Sequence, residues 1–246
     1  MARNRSAHEL RLITIHFERL DRVDGSARFG FGDTTVLASV SGPIEVRLAA
    51  ELASKATFEV TVRPLSGIPG TESKSLASSI RSLLSPIFIF TQNPRSLIQL
   101  VIQSLTPSPR SSPSQSFSPS LVAAMINASM LALLRASSFP LKGVICAVAV
   151  GKKSFGDHEL VLDPEGEVAQ GGCFAFLFGG GGKEEEVVWT NWKSGRGWEA
   201  DMAVDGDADA DLDDARELAR KAAREVYASI RKAIAQEGGE VVMDVD

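Results

Sequence analysis

At 246 residues, with 44% hydrophobic and 23% charged side chains, the chain is long enough to bury a substantial core as one large domain or two small ones. No run approaches the eighteen or so apolar residues of a membrane span, and the opening Met-Ala-Arg-Asn-Arg-Ser has no apolar signal core, which argues against secretion. The net charge of −5 conceals a split: eight acids and no base lie in 199–214, and without them 23 acids stand against 26 bases, so a mildly basic body carries one acidic segment.

Residues 1–7 read as a flexible N-terminus. From His8 to Gly67 the pattern is mostly strand: Leu10, Leu12, Ile15 and Phe17 alternate with polar positions, and Asp24-Gly25 is a turn dipeptide between apolar runs. The unbroken β-rich run 35–41 predicts a strand buried on both faces, whereas 56–63 alternates cleanly and should keep one face wet. A loop at 64–70 leads to a helix from about Glu72 with Leu76, Ile80, Leu83 and Leu84 on one face, which Pro86 should end or kink. Residues 96–105 read as a further strand.

Seven serines and four prolines in 106–120 make a linker composition, so a disordered insertion is expected there. Ser108, Ser112 and Ser118 each precede proline, a pattern that suits proline-directed kinases. The next helix, 121–135, is apolar nearly all round and should be central. Buried or paired strands follow at Gly143-Val-Ile-Cys-Ala-Val-Ala-Val150, Leu160-Val-Leu-Asp-Pro164, Cys173-Phe-Ala-Phe-Leu-Phe178 and Val187-Val-Trp-Thr-Asn-Trp192. A second disordered insertion is expected at 199–210. A last amphipathic helix, 211–235, carries Leu218, Ala222, Val226, Ile230 and Ile234 on one face, and 237–246 read as a flexible tail. Cys146 and Cys173 lie in apolar strands and read as buried free thiols rather than a disulfide. With only three scattered histidines, no zinc site is expected.

This order of elements, with Asp24-Gly-Ser-Ala27, Val36-Leu-Ala-Ser-Val-Ser-Gly-Pro-Ile-Glu45 and Asn93-Pro-Arg-Ser-Leu-Ile98, resembles the RNase PH family over most of 8–236, and in particular its eukaryotic exosome ring subunits. The resemblance implies an α+β fold of the RNase PH-like (ribosomal protein S5 domain 2-like) type, a mixed sheet with packed helices and pseudo-duplicated β-rich halves.

Phosphorolysis of RNA needs an anion cradle for phosphate, carboxylates near the scissile linkage and cations for the backbone. In active family members the cradle lies at the start of the central helix and includes an arginine. Here the matching stretch is Ser118-Pro-Ser-Leu-Val-Ala123, which puts Val122 where that arginine would stand, and Pro119 lacks an N–H. The resemblance leaves Asp163 as a remnant of one catalytic acid, although a turn-capping aspartate before Pro164 is the plainer reading. The second acid position falls at Cys173, and a thiol is a poor magnesium ligand. Arg81, in Ile80-Arg-Ser-Leu-Leu84, and Arg95 are the RNA-contact candidates. The plainer reading of both is a surface ion pair or subunit contact, and of Trp189, Trp192 and Trp198 core or interface rather than base-stacking.

By resemblance, then, the chain is a non-catalytic subunit pairing with other RNase PH-like subunits in a hetero-hexameric exosome ring. Cap subunits, RNA and a separate catalytic nuclease would be its further partners, in nucleus, nucleolus and cytoplasm, with no cofactor, no metal and no membrane. Two rivals stand beside it. One is an active phosphate-dependent 3′-to-5′ exoribonuclease, rescued by Asp157, Glu159 or Glu165 with Arg110 supplying the missing cation; the other is an RNA-binding regulator outside any ring.

Overall fold

The computed structural model describes residues 6–107, 117–152, 160–165, 170–179, 185–193 and 206–240, with side chains at 206–211 and 237–240 excepted. In chain order the elements are β1 (Ile13–Phe17), β2 (Gly25–Phe31), β3 (Thr34–Glu45), β4 (Thr57–Arg63), α1 (Thr71–Leu84), β5 (Ser96–Ser104), α2 (Pro119–Ala136), β6 (Gly143–Lys152), β7 (Leu160–Leu162), β8 (Gln170–Gly179), β9 (Glu186–Thr190) and α3 (Gly206–Glu240). Strands before α2 make a five-stranded sheet in the order β1-β2-β3-β5-β4, antiparallel except for the parallel β4–β5 pair. Those after α2 make a four-stranded antiparallel sheet in the order β7-β6-β8-β9. The expected α+β layout with two β-rich halves is what the chain adopts.

Period-two alternation builds the inner face of the first sheet. Ala27, Phe29 and Phe31 on β2 stand beside Ala38, Val36 and Thr34 on β3, and Leu100 and Ile102 on β5 continue the apolar rows. Helix α2 lies on that face and presents its opposite side to β6 and β8, so it is buried all round. Helix α3 covers the other face of β6 and β8 with Ala215, Ala219, Ala222, Ala223, Val226 and Ile230. Leu218 is only half-buried, and Ile234 is exposed, because the stripe that faces the sheet is the alanine-rich one.

Several sequence expectations need correction. The strand containing 35–41 is buried on one face only: Leu37, Ser39 and Ser41 are half-exposed, because the helices of the first half pack on a single side of its sheet. Asp24-Gly25 is not a hairpin turn; the chain reverses at Asp21 and Arg22, and Gly25 already lies in β2. It is glycine because α2 passes so close that a Cβ there would sit 2.3 Å from the Ala132 carbonyl oxygen. The Ser/Pro-rich segment is ordered at both ends. Thr106 Oγ1 accepts from the Thr35 amide at 2.8 Å, Phe117 packs against the core, and α2, capped by Ser118, starts at Pro119, two residues earlier than 121; the stretch between, 108–116, lies outside the described residues. The acidic segment is helical from Gly206, while 199–205 lie outside the description. At the termini, the Ala7 carbonyl accepts from Leu162 N at 2.8 Å, and α3 runs on to Glu240. Finally, α2, at 18 residues and mean hydropathy 1.4, is long and apolar enough to cross a membrane, contrary to the reading of the sequence; 83% of it is buried within the fold, as a core helix must be.

Candidate functional site

Three parts of the expected site converge at one end of the four-stranded sheet: the start of α2, the turn after β7, and β8 at Cys173. The Ser120 hydroxyl ties the first two together by donating to the Pro164 carbonyl at 3.1 Å. The last two flank one residue of β6, since the Asp163 amide donates to the Ala149 carbonyl at 2.9 Å and Ala149 pairs with Cys173.

A helix N-terminus binds an anion through amides left unsatisfied in its first turn. Here Ser118 caps the helix: its Oγ accepts from Leu121 N at 3.3 Å, and its carbonyl accepts from Val122 N at 3.0 Å. Pro119 contributes no N–H. The side chains of Pro119, Ser120, Leu121 and Val122 are all buried, Val122 at 3% exposure.

Asp163 is 1% exposed and held in a left-handed conformation at φ 45°. Its carboxylate takes both forks of the Arg11 guanidinium, Nε to Oδ2 at 2.5 Å and Nη2 to Oδ1 at 2.6 Å, while Arg11 Nη1 donates to Thr34 Oγ1 at 3.0 Å. Such a bidentate, charge-assisted pair takes one lone pair on each carboxylate oxygen and fixes the orientation of the group. It also ties the segment before β1 and the start of β3 to the second sheet. The carboxylate therefore takes part in a buried ion pair that links the two halves of the fold.

Cys173 is wholly buried, and burial pushes its thiol far above the ordinary range, so it stays neutral. Its amide donates to Asn191 Oδ1 at 2.7 Å, and its carbonyl accepts from Asn191 N at 3.2 Å. Cys146 is likewise a buried, neutral free thiol. No group of three or more metal-binding side chains forms among the described residues.

The two candidate arginines do not join this site. Arg95, at φ 60°, directs Nε toward Glu51 Oε1 at 3.4 Å and is an exposed ion pair. Arg81 is exposed on α1 and lines a groove between α1 and β4 that Arg95 does not enter. Trp189 packs against the core, and the Trp192 ring lies 5.7 Å from that of Phe174, whereas Trp198, Asp157, Glu159 and Arg110 lie outside the described residues. Glu165 is exposed beside Pro164.

Sequence reasoning missed Arg11, Asn191 and Asn127. The last is a wholly buried amide on α2 whose Nδ2 donates to the Ala147 carbonyl and whose Oδ1 accepts from the Ala147 amide, both at 2.8 Å. β7 pairs with β6 only from Val150 onward, so Asn127 takes the place of the absent strand. A lone asparagine in an all-apolar helix was the available signal, because a buried amide must find partners.

Comparison with known proteins agrees with this fold. The model of the RNase PH group, described as the 3′ exoribonuclease family, domain 1, matches residues 9–138. The exosome complex component rrp46 of Schizosaccharomyces pombe is 36% identical over 129 residues, 52% of this chain and 53% of that protein. The exosome complex component Rrp41 of Archaeoglobus fulgidus is 31% identical over 257 residues, 98% of this chain and 89% of that protein. The crystal structure of rice Rrp46 superposes with a TM-score of 0.72 at 24% identity, covering 94% of this chain and 98% of that one. The chain thus spans about half the length of the fission-yeast relative it matches.

Proposed function

Because the chain belongs to the RNase PH group, the 3′ exoribonuclease family, we propose that it serves as a non-catalytic subunit of an exosome ring. It assembles with other RNase PH-like chains and guides RNA toward a nuclease held elsewhere, in 3′-to-5′ RNA processing and degradation. The relatives named as exosome complex components support the assembly. One observation carries the non-catalytic half of the reading: the start of α2 is capped by Ser118 and buried around Val122. A helix start that opens on a proline, is capped by its own serine and is lined by buried apolar side chains is a poor cradle for an attacking phosphate, and without one the chemistry loses its nucleophile. The Arg11–Asp163 pair and the neutral thiol of Cys173 support the same reading at the carboxylate positions.

The test is phosphate-dependent release of nucleoside diphosphates from a 3′-ended RNA, by the purified chain and by a ring reconstituted around it with no separate nuclease. The expected result is no release that depends on this subunit. Robust turnover that vanishes when this chain is replaced by an inactive relative would overturn the reading in favour of an active exoribonuclease.

A further inference from the structure

Among the described residues the first sheet ends at β4, which pairs with β5 on one side and with no strand on the other. Alternate N–H and C=O groups along Thr57–Arg63 therefore face outward, and a bare strand edge is a template for another strand. Natural edges are usually blunted by charged side chains, above all lysine, by proline or by a covering segment. β4 has no proline or lysine, although Glu59 and Arg63 are exposed charges on it, and α1 does not close over it. A groove of about 420 Å³ runs between them.

The helix wall of this groove carries small side chains, Ser73 and Ala77 one turn apart with Ser78 beside them, which leave room for a polypeptide backbone. Lys74 and Arg81 stand on the same wall, both exposed, and neither is in an ion pair among the described residues. At the mouth, the loop leading to Pro69 holds Leu65 and Ile68 in water, Ile68 at 92% exposure. A strand edge, a narrow slot beside a helix, two cations on the helix wall against the single acid Glu59 on the strand, and an apolar mouth together describe a site for an added strand. RNA fits less well: no aromatic platform lines the groove, and unpaired main-chain groups in register are matched by another main chain.

We infer that this groove receives an extended, carboxylate-bearing segment of a neighbouring RNase PH-like subunit, which adds beside β4 as a sixth strand with its acids against Lys74 and Arg81. The inference rests on the ring reading above and locates one of its interfaces.

The test compares the full chain alone with the chain in a reconstituted ring, whose composition is read by native mass spectrometry. Amides of 57–63 that exchange quickly in the free chain should become protected in the ring. A zero-length carbodiimide cross-link should join Lys74 to an aspartate or glutamate of a neighbour. The Lys74→Ala/Arg81→Ala variant, altered only at exposed positions, should keep its fold and weaken association roughly two- to thirtyfold, as two surface charge pairs allow. A ring that forms with 57–63 still exchanging fast overturns this inference alone. So does Lys74 joined only to a second copy of this chain, or cross-linking of Arg81 to RNA in place of protein. A chain that enters no ring removes both this inference and the functional reading on which it rests.

Discussion

Replacing Arg11 with methionine should remove the guanidinium from a carboxylate that is 1% exposed, while keeping most of the side chain's volume. Breaking a buried pair by deleting one partner costs about 3–5 kcal/mol, because the remaining charge is left in a poorly solvated place. For a chain of this size each kcal/mol moves the melting temperature by about 2–4 °C, so Arg11→Met should melt roughly 6–20 °C lower. Asp163→Asn is milder, since Arg11 is 13% exposed and keeps Thr34 as a partner. The double variant removes the uncompensated charge, so its loss should fall short of the sum of the two single losses by about 2 kcal/mol or more. Urea denaturation of the four proteins gives the cycle. Additivity within about 0.5 kcal/mol would refute the claim that Asp163 is held for structure. So would an Asp163→Asn protein of unchanged stability that has lost a magnesium-dependent rise in melting temperature shown by the parent.

Three further outcomes are expected. Asn127→Leu leaves the Ala147 N–H and C=O buried without partners and should cost about 2–6 kcal/mol in urea denaturation; an unchanged midpoint would count against Asn127 as a strand substitute. Glu185 is held below its ordinary pKa, first by its hydrogen bonds to Arg224, so its contribution is present above the unfolded value near 4.3 and fades as pH falls through the lower folded value. Because the pair is largely exposed, Glu185→Gln should cost under about 1 kcal/mol at pH 7 and progressively less below pH 4, and a difference that grows on acidification would contradict this. Val122→Arg with Cys173→Asp puts charges into a packed helix start and a wholly buried strand; the protein should lose more than about 4 kcal/mol and gain no phosphorolysis, so a folded double variant that releases nucleoside diphosphates would refute the reading.

Periodicity made much of the fold legible. The apolar stretch at 121–135 announced a central helix, and the run at 143–150 a strand covered on both sides, because burial on every side leaves no polar period to misread. The boundaries failed where composition and local geometry disagree. Ser118 and Pro119 are good cap and first-turn residues, yet they sit in a Ser/Pro-rich stretch whose average reads as linker. Residues 206–210 read as part of a disordered insertion and the helix as starting at 211, although acidic residues are favoured in a helix's first turns. At the site, the apolar character of Val122 and Cys173 was legible, but what holds Asp163 was not. Arg11 is 152 residues away, and nothing in Leu10-Arg11-Leu12 distinguishes a buried anchor from a surface arginine. Gly25 misled for a related reason: its lack of a side chain serves a helix more than a hundred residues later, not the turn beside it.

The position of α2 in the chain governs how the protein is made. All five strands of the first sheet leave the ribosome before residue 119, and all four strands of the second come after residue 136. The first sheet therefore waits for α2 before its inner face has anything to lie against. Once it docks, α2 still shows an uncovered apolar side until β8 is complete, about forty residues later. At ordinary synthesis rates that interval lasts roughly two to eight seconds. The nascent chain passes those seconds with a greasy ridge in water, and so the hazard of aggregation falls on its birth rather than on the finished molecule.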